Sequence, residues 1–382
     1  MLSRWTWTLL LPLVAACQAS EADSSPPFVV PLVTLPSWQG GLDVGRRREL
    51  WIDDLRQRPL AVWIFYPAAL HDSSTTPVLD DSTWVRLRRN ELSHRLGPAA
   101  TSGLLAMRTH AITDAPVKPW DERFPVLLFA PAAGWLPSDY SGLLEGLASR
   151  GFVVVAAAAP GDAGVMLLPD GTVATSRTPD DGTAARLAGD LRFLRQRLIA
   201  LDAVPASPFH RTLALSSVGA LGHGAGGAAA VLAAAADTTI AAVVNLDGEV
   251  LRGFRTPVVG QAMLYLSTEP VAMVHRPVER WSEDRGERRR TEQWERLSAS
   301  SVRPERVRLS GMHHWNFLDA ALVTPEAVAP AVRRVRFGEI DGTRGIRIVA
   351  DVAAEFFRGA FSHGAAGLGE SRALYPEITL TR

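Results

Sequence analysis

The chain has one cysteine, Cys17, in 382 residues, so no internal disulfide can form. It has one lysine, Lys118. That excludes a phosphate-binding G-x-x-x-x-G-K loop and lysine-based covalent catalysis. Neither sign of charge is in excess, with 40 basic against 40 acidic residues. A nucleic-acid partner and an acidic disordered tail are therefore not expected. Long hydrophobic runs are missing too. The apolar run Trp5–Ala16 is well short of the roughly 20 residues that a membrane-spanning helix needs. No repeat of fixed period is visible.

What is present begins with that short run. Arg4 precedes it, and Val14-Ala15-Ala16-Cys17 ends it. A charged start, an apolar stretch and small residues before a cysteine read as an export leader over residues 1–17. The ending resembles a bacterial lipobox, with Cys17 as the lipidated new N-terminus. The expected location is the cell envelope, anchored to a membrane through that lipid. Residues 18–43, rich in Ser and Pro at first, read as a flexible tether. Residues 44–382 then form one domain, and with 47% hydrophobic residues the chain can bury a large core.

Within that domain, strand-like and helix-like segments alternate. Leu60–Tyr66, Phe124–Phe129, Val153–Ala159 and Ile240–Leu246 are apolar runs bounded by Pro or Gly, or by Asp247. Thr212–Leu215 and Val218–Leu221 flank Ser216-Ser217 in a further strand region, and Pro257–Ser267 and Arg306–Leu309 read as later strands. Ser138–Ser149, Thr183–Leu201 and Ile346–Phe361 have helical spacing, and Ala dominates 228–236. Continuous apolar strands between helices predict an α/β fold, a mostly parallel sheet with helices on both faces. The charged stretch Trp281–Leu297 reads as a solvated surface helix.

The segment Leu221-Gly222-His223-Gly224-Ala225-Gly226-Gly227 carries the most information. A strand leads in and an Ala-rich helix leads out. This is the layout of the G-x-S-x-G nucleophile elbow, whose outer glycines let strand and helix approach closely. Gly222 and Gly226 fit the outer positions. Gly224 stands at the nucleophile position and has no side chain, and no other G-x-S-x-G occurs in the chain. A dinucleotide-binding loop fits less well, because the segment comes far into the chain and only Asp247 follows at the needed interval. Asp247 ends its apolar strand, and His314 lies beyond the strand ending at Leu309. Elbow, Asp and His in that order are the order of the α/β-hydrolase triad. The adjacent His313 and His314 lack a clear third ligand, so no metal site is expected. No cofactor is expected either.

These pieces, in order, resemble the plasma-type platelet-activating-factor acetylhydrolase family. The resemblance runs from about Val44 to Glu377. It includes Trp63-Ile64-Phe65-Tyr66-Pro67, Phe124-Pro125-Val126-Leu127-Leu128-Phe129 and Leu147-Ala148-Ser149-Arg150-Gly151-Phe152. It continues through the elbow, Leu246-Asp247-Gly248, Gly311-x-x-His314-x-Asn316-Phe317 and Tyr375-Pro376-Glu377. The resemblance implies the α/β-hydrolase fold and cofactor-free cleavage of acyl groups from ester or phospholipid-like small molecules. It implies Asp247 as the acid, His314 rather than His313 as the base, and the amides of Ala133 and Ala225 as the oxyanion hole. Two departures stand out: Gly224 replaces the nucleophilic serine, and Ala132 replaces a common glycine. A catalytically impaired or pseudo-hydrolase follows as the expectation. The alternatives are hydrolysis by water activated by His314, or a non-catalytic lipid- or partner-binding surface protein.

Overall fold

Alternate residues along the central strands feed two different cores. The computed structural model describes residues 33–381 apart from 39, 70–73, 80, 120–121, 169–170, 250–256, 270–279, 302, 324–326 and 363–366. The export leader, residues 1–17, the lipidation position Cys17 and the first part of the tether lie outside the described residues. β1 (Val44–Asp53) and β2 (Arg58–Pro67) form an antiparallel hairpin. β3 (Thr76–Pro77) pairs with β4 (Arg108–Thr109), and between them in the chain lie α1 (Ser82–Leu96) and α2 (Pro98–Leu105). β5 (Ile112–Thr113) adds to β1. Then come β6 (Phe124–Ala130), α3 (Ser141–Ala148), β7 (Val153–Ala158) and the ribbon β8 (Met166–Leu167) with β9 (Val173–Ala174). The remainder is α4 (Thr183–Ala203), β10 (Leu213–His223), α5 (Ala225–Ala236), β11 (Ala242–Leu246), β12 (Ala262–Thr268), α6 (Arg280–Ser300), β13 (Arg303–Leu309), α7 (Pro330–Arg336), α8 (Gly342–Phe361), α9 (Gly369–Leu374) and β14 (Ile378–Leu380).

Among the described residues the main sheet has ten strands, ordered β14-β13-β12-β11-β10-β6-β7-β2-β1-β5. β7, β6 and β10 to β13 run parallel, and antiparallel pairings occur at β1–β2, β2–β7 and β13–β14. Side chains point to opposite faces at successive positions of a strand. Leu127 and Phe129 of β6 therefore join α1, α3 and α8 in one core, while Val126 and Leu128 join α4, α5 and the buried Trp294 and Leu297 of α6 in the other. With both faces covered, the central strands are apolar throughout, as the sequence predicts. From β6 the chain first adds β7 on one side. It then returns to place β10 on the other. The strand order thus reverses between β6 and β10, and the carboxyl ends of strands at such a reversal are where sheets of this kind bind ligands.

Several expectations are refined. The two short strand pieces around Ser216-Ser217 are one strand, β10, with a register shift against β6 between Ala214 and Val218. The expected strand Leu60–Tyr66 is β2, whereas its hairpin partner β1 and the α1–α2 pair carried no periodic signal that singled them out. The charged helix α6 is solvated on one face, where Glu292, Glu295 and Arg296 are exposed, and packs on the other: Gln293, Trp294 and Leu297 are buried, and Gln293 donates to the Gly248 carbonyl at 3.1 Å. The ordered body also begins before Val44, so the expected tether over 18–43 is too long at its end. Leu35 and Trp38 are buried and pack over Gly142 and Gly146 of α3, where small residues leave a groove. Leu35 N–H donates to the Arg108 carbonyl at 2.8 Å, and Arg108 N–H to the Val33 carbonyl at 3.0 Å.

At the start of α5 the helix backbone lies directly on the end of β6. A Cβ on Gly226 would overlap the Ala130 carbonyl. Gly226→Ala should therefore cost about 3 kcal/mol or more, since rigid backbone rather than a side-chain tip is in the way. Urea unfolding of the variant checks this.

Candidate active site

β10 delivers the chain to Gly224, and α5 takes it away. Gly224 has φ +54° and ψ −121°, a conformation that residues with a side chain rarely adopt. Its N–H donates to the Leu246 carbonyl at 3.0 Å, and its carbonyl accepts from Ala228 N–H at 3.1 Å. The turn is therefore held from both sides. A Cβ at this position would point at His314, 3.4 Å from Nε2, and would sit 3.2 Å from the Ala132 methyl.

Asp247 follows β11, and its side chain is largely buried. It too has a positive φ, 53°, which Asp tolerates better than most residues. Its Oδ2 meets His314 Nδ1 at 2.8 Å and accepts from Thr268 Oγ1 at 3.0 Å. His314 opens a 3-10 turn, His314–Phe317, after β13. Buried Asn316 pins that turn, its Oδ1 accepting from His313 N–H at 2.8 Å and from Gly338 N–H at 2.7 Å. With Nδ1–H given to the carboxylate, His314 Nε2 presents its lone pair toward Gly224. His314, not His313, is the histidine brought to Asp247.

The loop after β6 completes the arrangement. Neither Ala133 N–H nor Ala225 N–H has a protein acceptor among the described residues. The neighbouring Ala132 N–H donates to the Tyr140 hydroxyl at 3.0 Å. That hydroxyl meets His223 Nδ1 at 2.9 Å. The His223 ring in turn lies against His314, centroids 4.3 Å apart. Burial above all, and then the repulsion that a second positive charge beside His314 would meet, hold the His223 imidazole well below its usual range, so it is neutral. The elbow, the base and the loop are thus tied by one chain of contacts. Further out, Gly134 N–H donates to the Asp162 carbonyl at 2.8 Å. Arg95 of α1 donates to the Gly134 carbonyl at 2.8 Å. Fully buried Arg88 grips Asp139 with bonds of 2.6 and 2.7 Å, and Asp139 accepts Leu136 N–H at 2.8 Å. Trp135 and Trp315 meet edge to face at 5.3 Å.

Gly224, Asp247, His314, Ala133 and Ala225, predicted from scattered positions, therefore meet at one edge of the sheet. Tyr140, Thr268 and Arg88 carried no sequence signal, because each acts through a partner far away in the chain. His223 was visible only as the second letter of the elbow motif.

This is the architecture of the α/β-hydrolases, a central, mostly parallel sheet between helical layers. Comparison with known proteins points the same way. A family model described as platelet-activating factor acetylhydrolase, isoform II, matches residues 29–162. That stretch contains the loop Ala130–Gly134 and ends before Gly224, Asp247 and His314. No curated protein matches the chain. Among solved structures, a ferulic acid esterase from Streptomyces cinnamoneus aligns with a TM-score of 0.70 at 22% identity, over 92% of this chain and 100% of that one. At that identity the likeness concerns the fold.

Two carboxyls near α3, Asp319 and Glu145, are fully buried. Burial pushes Asp319 up to about 8 and Glu145 up to about 7. Asp319 accepts Gly142 N–H at 2.9 Å. A carboxyl that holds its proton more tightly when folded stabilises the fold fully below its unfolded value, 3.8 for Asp319, and that stability is lost as pH rises through the folded value. The melting temperature should therefore fall between about pH 4 and pH 8. Asp319→Asn, which can still accept from Gly142, should flatten that fall, and melting curves across this range check it.

Proposed function

We propose that this chain is an ester-binding protein of serine-esterase build that does not form an acyl-enzyme, held at a membrane through a lipid on Cys17. The observation that carries the reading is Gly224, with its missing Cβ aimed at His314 Nε2 from 3.4 Å. In a serine esterase the hydroxyl at this point attacks the carbonyl, the histidine takes its proton, and two amides hold the oxyanion. Here Asp247 would orient and support His314, and Ala133 and Ala225 would hold the oxyanion, but the covalent nucleophile is gone. Loss of a triad nucleophile costs about a millionfold in turnover. The ligand the site suits is an ester or phospholipid-like small molecule. The membrane tether rests on the sequence of residues 1–17; among the described residues no helix is long and apolar enough to cross a membrane.

A second reading keeps catalysis. The intact His314–Asp247 bond at 2.8 Å, steadied by Thr268, supports His314 as a general base for a water held beside Gly224.

Restoring the serine tests the main reading. Wild type should resist fluorophosphonate labelling. Gly224→Ser should be labelled and should hydrolyse a short aryl ester at least about a thousandfold faster than wild type. Because the new Cβ lies 3.2 Å from the Ala132 methyl, the double variant Ala132→Gly/Gly224→Ser should exceed the single one. Labelled wild type, or folded but inert serine variants, would sink the proposal.

A further inference from the structure

A cavity of about 330 Å³ lies outside the candidate active site: none of Gly224, Asp247, His314, Ala133 and Ala225 lines it. It is bounded by the turns that follow His314, by α7 and by the start of α8. Its volume is at the small end of ligand pockets, which run from about 300 to 1,000 Å³, so the occupant is small. Part of the lining is apolar, the buried Val323, Val328 and Phe337. Part of it donates hydrogen bonds. Asn316 is only 2% exposed, and its Oδ1 is taken by the N–H groups of His313 and Gly338 at 2.8 and 2.7 Å. That fixes the amide, so its two Nδ2 protons turn the other way. Nδ2 has no acceptor among the described residues yet keeps some contact with solvent, which at 2% exposure means the cavity that Asn316 lines. Gly342 and Thr343, in the first turn of α8, add two N–H groups with no acceptor among the described residues. The rest is charge of both signs. Arg333 and Glu339 both line the cavity, both are exposed, and neither has an ion-pair partner among the described residues. Asp341 lines it too and caps α8, accepting Arg344 N–H at 2.8 Å.

A ligand matched to this lining carries both charges itself. A carboxylate suits Arg333, the Asn316 amide and the first N–H groups of α8, since a helix start attracts negative charge. A carboxylate alone would also meet Glu339 and Asp341. An ammonium group on the same molecule turns those two from repelling neighbours into partners. The apolar side chains then take a short hydrocarbon arm. We propose that this cavity binds an aliphatic α-amino acid as its zwitterion. The carboxylate lies toward Arg333 and Asn316, the ammonium toward Glu339 and Asp341, and the arm against Val323, Val328 and Phe337. The site is separate from any ester chemistry and does not depend on the function proposed above. Asn316 joins the two regions, because the same amide pins the turn that carries His314.

The experiment titrates the full chain with L-leucine by calorimetry. It is repeated with glycine, N-acetyl-L-leucine and L-leucinamide, which lack in turn the arm, the ammonium and the carboxylate. L-Leucine should bind, and each of the other three about tenfold more weakly or not at all. Arg333→Ala and Glu339→Gln change exposed side chains, so their melting curves should match wild type. Each should weaken L-leucine about tenfold. Arg333→Ala should leave any binding of L-leucinamide unchanged, and Glu339→Gln any binding of N-acetyl-L-leucine, because the ligand group that each side chain would meet is already absent. No binding of L-leucine up to its solubility limit would overturn the inference. N-Acetyl-L-leucine as tight as L-leucine would make this a plain carboxylate site, and L-leucinamide as tight a plain cation site; either overturns it. L-Leucine affinity unmoved in both variants would put the amino acid elsewhere and overturn it as well. Failure of the serine-restoration test would leave it standing.

Discussion

Where β10 turns into α5, the backbone of the helix start lies on the carbonyls at the end of β6. No side-chain carbon fits at Gly226, because it would overlap the Ala130 carbonyl. That contact brings the loop after β6 alongside the elbow, so that the Ala132 methyl lies 3.2 Å from where a Gly224 side chain would begin. Two residues earlier Gly224 has its positive φ of 54°, and a side chain on that backbone would start 3.4 Å from His314 Nε2. The other features of the site are supports for this approach. Gly224 N–H hangs on β11, Asp247 N–H on β12 through the Leu266 carbonyl at 2.8 Å, and the Ala132 amide on Tyr140.

The supports do not depend on a nucleophile. Arg88 is buried between two acidic partners, Asp139 and Glu91, and removing Arg88 would leave the buried Asp139 without its cation, which is strongly destabilising. His223 is kept neutral between Tyr140 and His314. Such groups hold the fold whether or not an ester is ever cleaved. A chain can therefore lose the serine and keep the geometry around it. Glycine also relieves the backbone strain that a serine would bear at φ +54°. The kept Asp–His pair is accordingly compatible with both a silent site and one that activates water.

Much of this was legible in the chain. The apolar runs of β6, β7 and β11 follow from burial on both faces, and α4 and α8 from their helical spacing. The two glycine-bounded ends of the elbow, Asp247 at its strand end and His314 in Gly311-x-x-His314 could be read because motif and order coincide. The short β14, the strand β1 that completes a hairpin with the legible β2, and the tightly packed Leu35–Trp38 stretch could not. Their partners lie far away in the chain, and nothing local distinguishes a tether residue from one that finds a groove on α3.

The sequence by itself determined the fold class, the order of the site residues and the absence of a side chain at position 224, since each is a matter of residue type and spacing. Only the tertiary structure decided which histidine meets Asp247, which amides are left unspent, and that Ala132 and His314 close around the missing Cβ. Those are distances of a few ångströms between segments far apart in the chain. They are set by how β6, β10, β11 and β13 lie side by side, and no local pattern encodes them.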